Sequence, residues 1–189
     1  MSSVDAAIKA VGIPAVIERD AGDVSTDLYI YPKAAGGHTF ERNAMLPTTS
    51  GVVSGDLILA GGVYYLARSV LQDRRVSTFF VNRARLLVCN NVVTIRAYDD
   101  TSKAFIDAKT GVPCAIIDSS GAMALSDRGV VTPGFTGKDD TYRMFAQSSN
   151  GINRKSAFVD ENSVSLSSNG EANPYFAEGL VEVPVKISS

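Results

Sequence analysis

The sequence predicts a mainly β protein, a small β-barrel or meander behind one short N-terminal helix, followed by a second β-rich segment. Three observations carry that expectation. Turn-forming residues recur along the 189-residue chain, which holds 16 Gly and 7 Pro. Short apolar runs of strand length lie between those turns. Only one stretch repeats its apolar residues at helical spacing.

That stretch is the first element. Val4, Ala7, Ile8 and Val11 share one helical face, Ser2 or Ser3 can cap its start, and Gly12 with Pro14 stops it. Residues 15–18 are a short strand candidate, and 20–27 read as a polar loop. Residues 27–31 form an aromatic and aliphatic strand closed by Pro32. Residues 33–45 have no period and contain Gly36-Gly37, so they read as a long arm. Gly36, Gly37, His38 and Phe40 are its candidate contacts to a neighbouring subunit, an order gained on assembly.

A meander follows. Residues 56–60 are apolar, Gly61-Gly62 is a tight turn whose residues tolerate positive φ, and 63–71 return as a strand. Residues 72–75 read as a polar turn. Residues 76–81, 84–89 and 92–98 are further strands, with Asn90-Asn91 as a second tight turn. This gives a first domain over 1–98. Residues 99–111 read as a linker, or a short helix at 102–108. Residues 112–189 form the second β-rich segment, punctuated by Ser120-Gly121, Asn150-Gly151 and Asn169-Gly170. Val181, Val183, Val185 and Ile187 alternate on one face there, and Pro184 on the other suggests an edge strand. No repeat at solenoid spacing is visible.

Hydrophobic content of 45% and charged content of 20% are those of a globular chain. The start lacks the basic and apolar regions of a signal peptide, and no apolar run reaches the length of a membrane span, so a soluble subunit made in a cytoplasm is expected. Two cysteines, Cys89 and Cys114, are too few for a disulfide framework.

Enzyme chemistry finds little support. His38 is the only histidine, which excludes a paired-histidine metal motif and leaves any serine triad dependent on one arm residue. There is no P-loop, dinucleotide fingerprint or nucleophile elbow. The acidic pairs Asp99-Asp100, Asp139-Asp140 and Asp160-Glu161 fall at expected turns, where solvated carboxylates are common. No catalytic residue, metal or cofactor is expected.

Charge supplies the one suggestive pattern. The net charge is −2, but residues 1–98 carry +2 and residues 99–189 carry −4. Arg68, Arg74, Arg75, Arg83, Arg85 and Arg96 lie within residues 64–98 against the single acid Asp73. Arg83 and Arg85, two apart, share a strand face. Arg68, Arg74, Arg75, Arg83 and Arg85 are therefore candidates for a DNA-channel surface or a subunit interface.

Met45-Leu46-Pro47, Gly55-Asp56 feeding an apolar strand, the returning Tyr64-Tyr65-Leu66, Arg68, and residues 84–90 together resemble the head-closure, or stopper, proteins of tailed bacteriophages. The resemblance spans roughly residues 45–98 and implies no catalytic residues. It implies a small β-barrel in a homo-oligomeric ring of six or twelve copies at the head–tail junction of a virion. Portal or adaptor and tail-terminator or tail-tube proteins would be its partners, DNA would make transient, non-specific contact, and no membrane would be involved. A collar or gateway subunit would account for the added segment. The alternative expectation is a capsid decoration protein or a tail or receptor-binding module.

Overall fold

The computed structural model describes residues 3–19, 21–31, 40–76, 79–118, 142–169, 173–174 and 179–188. The chain is mainly β and divides into two compact units, Met1–Val88 and Cys89–Ser189.

The first unit begins with helix α1 (Ser3–Val11). Six strands follow: β1 (Ile13–Glu18), β2 (Val24–Ile30), β3 (Glu41–Leu46), β4 (Leu57–Ala60), β5 (Val63–Val76) and β6 (Phe79–Val88). They close into an antiparallel barrel in the order β1-β2-β3-β6-β5-β4. Alternating residues fill it, among them Ile17, Leu28, Leu46, Ile58 and Leu86, all fully buried. Each contributes roughly 1.5–3 kcal/mol through burial. Gly61 and Gly62 close the β4–β5 hairpin at φ 58° and 78°, the conformation expected of a primed turn. Helix α1 packs on β2, β3 and β6 and ends where the Gly12 N–H donates to Ile8 O at 2.6 Å. A Cβ on Gly12 would lie 2.5 Å from that same oxygen, so only glycine fits.

The second unit holds β7 (Asn91–Asp99), β8 (Ala104–Asp118), β9 (Tyr142–Gln147), β10 (Ala157–Asp160), β11 (Ser165–Ser168), β12 (Asn173–Pro174) and β13 (Leu180–Ile187). Strand β11 pairs with both β10 and β13, so the sheet closes in the order β7-β8-β9-β13-β11-β10. Strand β12 continues β11 along β13.

The two barrels have the same topology. Mapping β1, β2, β3, β4, β5 and β6 onto β7, β8, β9, β10, β11 and β13 reproduces every pairing. The registers agree as well. Ile17 opposite Ile58 matches Ile95 opposite Phe158, and Tyr65 opposite Val88 matches Leu166 opposite Ile187. Between β3 and β4, and between β9 and β10, the chain runs in step at a spacing of 100 residues. Single 3-10 turns at Thr48–Ser50 and Ser148–Asn150 each end on a left-handed glycine, Gly51 or Gly151. The Val53 N–H then donates to Asp56 Oδ2 at 2.8 Å, and the Asn153 N–H to Ser156 Oγ at 3.0 Å. The unit is duplicated, at domain scale rather than at solenoid spacing.

Several expectations need correction. The first unit ends at Val88, not at residue 98, because β6 pairs only with β3 and β5, whereas β7 pairs with β8 and β10. Asn90 is therefore not a hairpin turn. Its buried side chain donates to Ile116 O at 2.8 Å and accepts from the Ile116 N–H at 2.7 Å, taking the place of a strand partner. Residues 99–111 are neither linker nor helix. They are the turn of the β7–β8 hairpin and the start of β8, exposed and so free of any apolar period. Residues 72–75 continue β5 through a register shift between Leu71 and Arg74. Pro184 lies on the outer face of β13, which is paired on both sides within the closed second barrel, so it is not on an edge strand. Its carbonyl accepts from Asn169, so its missing N–H faces the break between β11 and β12.

Of the expected arm, residues 41–45 belong to β3. Phe40 is buried, with its carbonyl accepting from Val88 N–H at 2.8 Å, and so packs on its own barrel. Gly36, Gly37 and His38 lie outside the described residues.

Candidate functional site

The register of the first barrel assembles an outward face from β2, β3, β6 and β5. Inward positions on these strands are Leu28 and Ile30, Ala44 and Leu46, Ala84 and Leu86, and Val70. Their neighbours face out. Tyr31 N–H donates to Asn43 O at 2.9 Å, Asn43 lies opposite Arg85, and Arg85 lies opposite Ser69. Beside this row runs a second: Tyr29 opposite Met45, Met45 opposite Arg83, Arg83 opposite Leu71.

The two rows carry rings at one end, guanidiniums at the centre and a half-exposed leucine at the other end. Tyr29 and Tyr31 meet edge to face, with centroids 5.5 Å apart. Arg83 and Arg85 are exposed, and among the described residues neither has a carboxylate within ion-pair distance. Leu71 is 50% exposed. A concavity of about 450 Å³ is lined by Tyr31, Asn43, Ser69, Leu71, Arg83 and Arg85.

Of the other expected arginines, Arg68 does not join this face as a free charge. Arg68 falls in the bulge between Ala67 and Ser69 and pairs with Glu41. Arg74 and Arg75 lie in β5 opposite Val81 and Phe80, beyond the reach of β4, and their side chains are outside the described residues. Tyr29, Tyr31, Asn43 and Ser69 were missed by sequence reasoning. They come from three strands far apart in the chain, and only the cross-strand register shows that they meet.

The Gly55-Asp56 motif has a structural task. Buried Asp56 accepts from Arg19 Nε at 3.0 Å and from the Val53 N–H, while Arg19 also donates to Gly51 O at 2.7 Å. The carboxylate thereby fastens the end of β1 to the turn before β4, and it raises the affinity of the Arg19 guanidinium for its proton. The acidic pairs also serve turns. Asp99 accepts from Thr101 and Ser102 N–H groups, and Asp160 from those of Asn162 and Val164. Asp139-Asp140 lies outside the described residues. No group of three or more His, Cys, Asp or Glu that would suit a metal ion exists among the described residues.

The second barrel carries different chemistry at the matching positions. Asn43 corresponds to Arg143 and Arg83 to Glu182, and these two form an ion pair at 3.6 Å. Arg85 corresponds to Pro184, and Tyr29, Tyr31 and Met45 correspond to Ala115, Ile117 and Phe145, all buried. The open basic face therefore belongs to one barrel of the two.

Compared with known protein families, with curated proteins and with solved structures, the chain matches none.

Proposed function

We propose that the chain is a structural virion protein that forms a ring at the head–tail junction of a tailed bacteriophage, and not an enzyme. In this reading the ring joins a portal or adaptor above to a tail-terminator or tail-tube protein below, and DNA crosses its centre. It is assembled in the host cytoplasm and contains six or twelve copies.

The observation that carries this reading is the pair of hairpins that outrun their barrels. Strand β5 pairs with β4 through Leu66, Ala67 bonds on to Gly55 and Asp56, and from Ser69 onward its backbone pairs, among the described residues, with β6 alone. Strand β8 meets β9 only from Ala115 onward, and its exposed residues 104–111 pair, among the described residues, with β7 alone. Both hairpins expose large apolar side chains: Leu71 and Phe80 on one, Phe105 and Ile106 on the other. A closed barrel has no free edge, so such one-sided ribbons are where a neighbouring copy can add contacts. A heterologous contact of this kind closes into a ring when its rotation permits. The likeness of residues 45–98 to head-closure proteins supports the same reading.

Sedimentation of the purified chain tests it. The reading expects six- or twelve-fold the mass of one chain. A species that stays monomeric at all concentrations, and that does not bind portal particles, would overturn it.

A further inference from the structure

We propose that the outer face of β2, β3, β6 and β5 is a binding site for a nucleic-acid phosphodiester backbone, held by Arg83 and Arg85 and flanked by Tyr31. This deepens the reading above and rests on it for the identity of the polymer as phage DNA.

Three observations converge. First, the two guanidiniums stand on one strand, two residues apart, or roughly 6.8 Å along an antiparallel strand. That is comparable to the separation of successive phosphates on one polynucleotide strand. Neither has a carboxylate partner among the described residues, so both are available to an external anion. Second, the concavity between them is lined by groups that suit a nucleotide rather than a carboxylate side chain. Tyr31 offers a ring beside the charges, and Asn43 and Ser69 offer neutral hydrogen-bonding groups. Third, the duplication supplies an internal comparison. At the matching positions the second barrel has neutralised the charge with its Arg143–Glu182 pair and buried the positions of the rings. The barrel fold thus does not require an open cationic face. The first barrel has one in addition to what its fold needs.

An acidic protein surface would satisfy the guanidiniums as well, but the phosphate-like spacing of Arg83 and Arg85 and the neutral hydrogen-bonding groups of Asn43 and Ser69 between them favour a polynucleotide backbone. The site is therefore assigned to nucleic acid, and an acidic polypeptide is the competing outcome.

Fluorescence anisotropy of the full-length chain with a labelled 15-nucleotide single strand, and with the corresponding duplex, tests the assignment. Binding is expected at 50 mM salt and should weaken steeply by 200 mM. The triple variant Asn43→Arg, Arg83→Glu, Arg85→Ser copies the charge pattern of the second barrel. It should weaken binding at least tenfold with an unchanged circular dichroism spectrum. If that variant does not fold, Arg83→Gln with Arg85→Gln should lower the slope of log affinity against log salt by about 2, one per lost phosphate contact. Tyr31→Ala separates the two forms of the ligand. A loss confined to the single strand assigns a base against the ring, and equal retention of both assigns the phosphates alone. Either result supports the proposal.

It is overturned if the native chain binds neither oligonucleotide, if the arginine variants bind as well as the native chain, or if polyglutamate of equal charge displaces the oligonucleotide at equal concentration. Because the readout compares variants in whatever assembly they adopt, its failure is distinct from a failure to form rings.

Discussion

Cys114 stands at the centre of the second barrel, wholly buried, and burial pushes its thiol far above the ordinary range, with nearby Asp160 adding to the effect. The folded chain therefore keeps the proton at a pH where the unfolded chain releases it. Above the ordinary thiol range, near pH 8.5, the unfolded state binds fewer protons, so stability falls as pH rises, by up to about 1.4 kcal/mol per pH unit. Urea unfolding between pH 7.5 and 9.5 should show this slope in the native chain and lose it in Cys114→Val. Alkylation should modify half-buried Cys89 in the folded chain and Cys114 only on unfolding. Asn90 gives a second prediction at this scale. Replacing it with Ala strips the Ile116 N–H and C=O of their side-chain partners and should cost about 1–3 kcal/mol by chemical denaturation. The sequence sets Cys114 beside Ala115, Ile116 and Ile117. It does not reveal Asn90, because an Asn-Asn pair between apolar runs also suits a turn, and only the distant partner Ile116 distinguishes the two.

Single elements were legible where a local signal decides them. The N-terminal helix ends at its glycine, and the Gly61-Gly62 hairpin forms as its composition implies. Gly12→Ala should cost about 1–3 kcal/mol, since the added methyl meets backbone that cannot move without shifting α1. The long hairpins were not legible. Residues 72–75 are polar and residues 99–111, exposed throughout their strand portion, alternate no apolar face, so the same composition describes a turn or a linker. Yet these ribbons matter most to assembly in the proposed function. Ile106→Ser, which leaves the edge-to-face pair of Phe105 with Tyr98 in place, should reduce the assembled mass in sedimentation, while the unfolding free energy of the chain changes by no more than about 0.5 kcal/mol.

At the scale of the whole molecule, the mainly β class was readable from turn density and apolar runs, but the duplication was not. Gly51 and Gly151 are the only identical pair between residues 46–60 and 146–160. A barrel asks only that inward positions be apolar and that the left-handed turn be glycine. Ile58 can become Phe158, and Asp56 can become Ser156, while the register and the turn hydrogen bond persist. The basic face shows the same limit from the other side. Arg83 and Arg85 were visible as a pair, but their setting depends on pairings that span β2 to β6. Two equivalent barrels, one keeping an open cationic face and each with one-sided ribbons, suit a subunit whose surface is completed by its neighbours. Electron micrographs of the purified chain test that claim most directly. Closed rings with a central hole wide enough for a DNA duplex are the predicted result, and a field of dispersed single molecules at every concentration would contradict it.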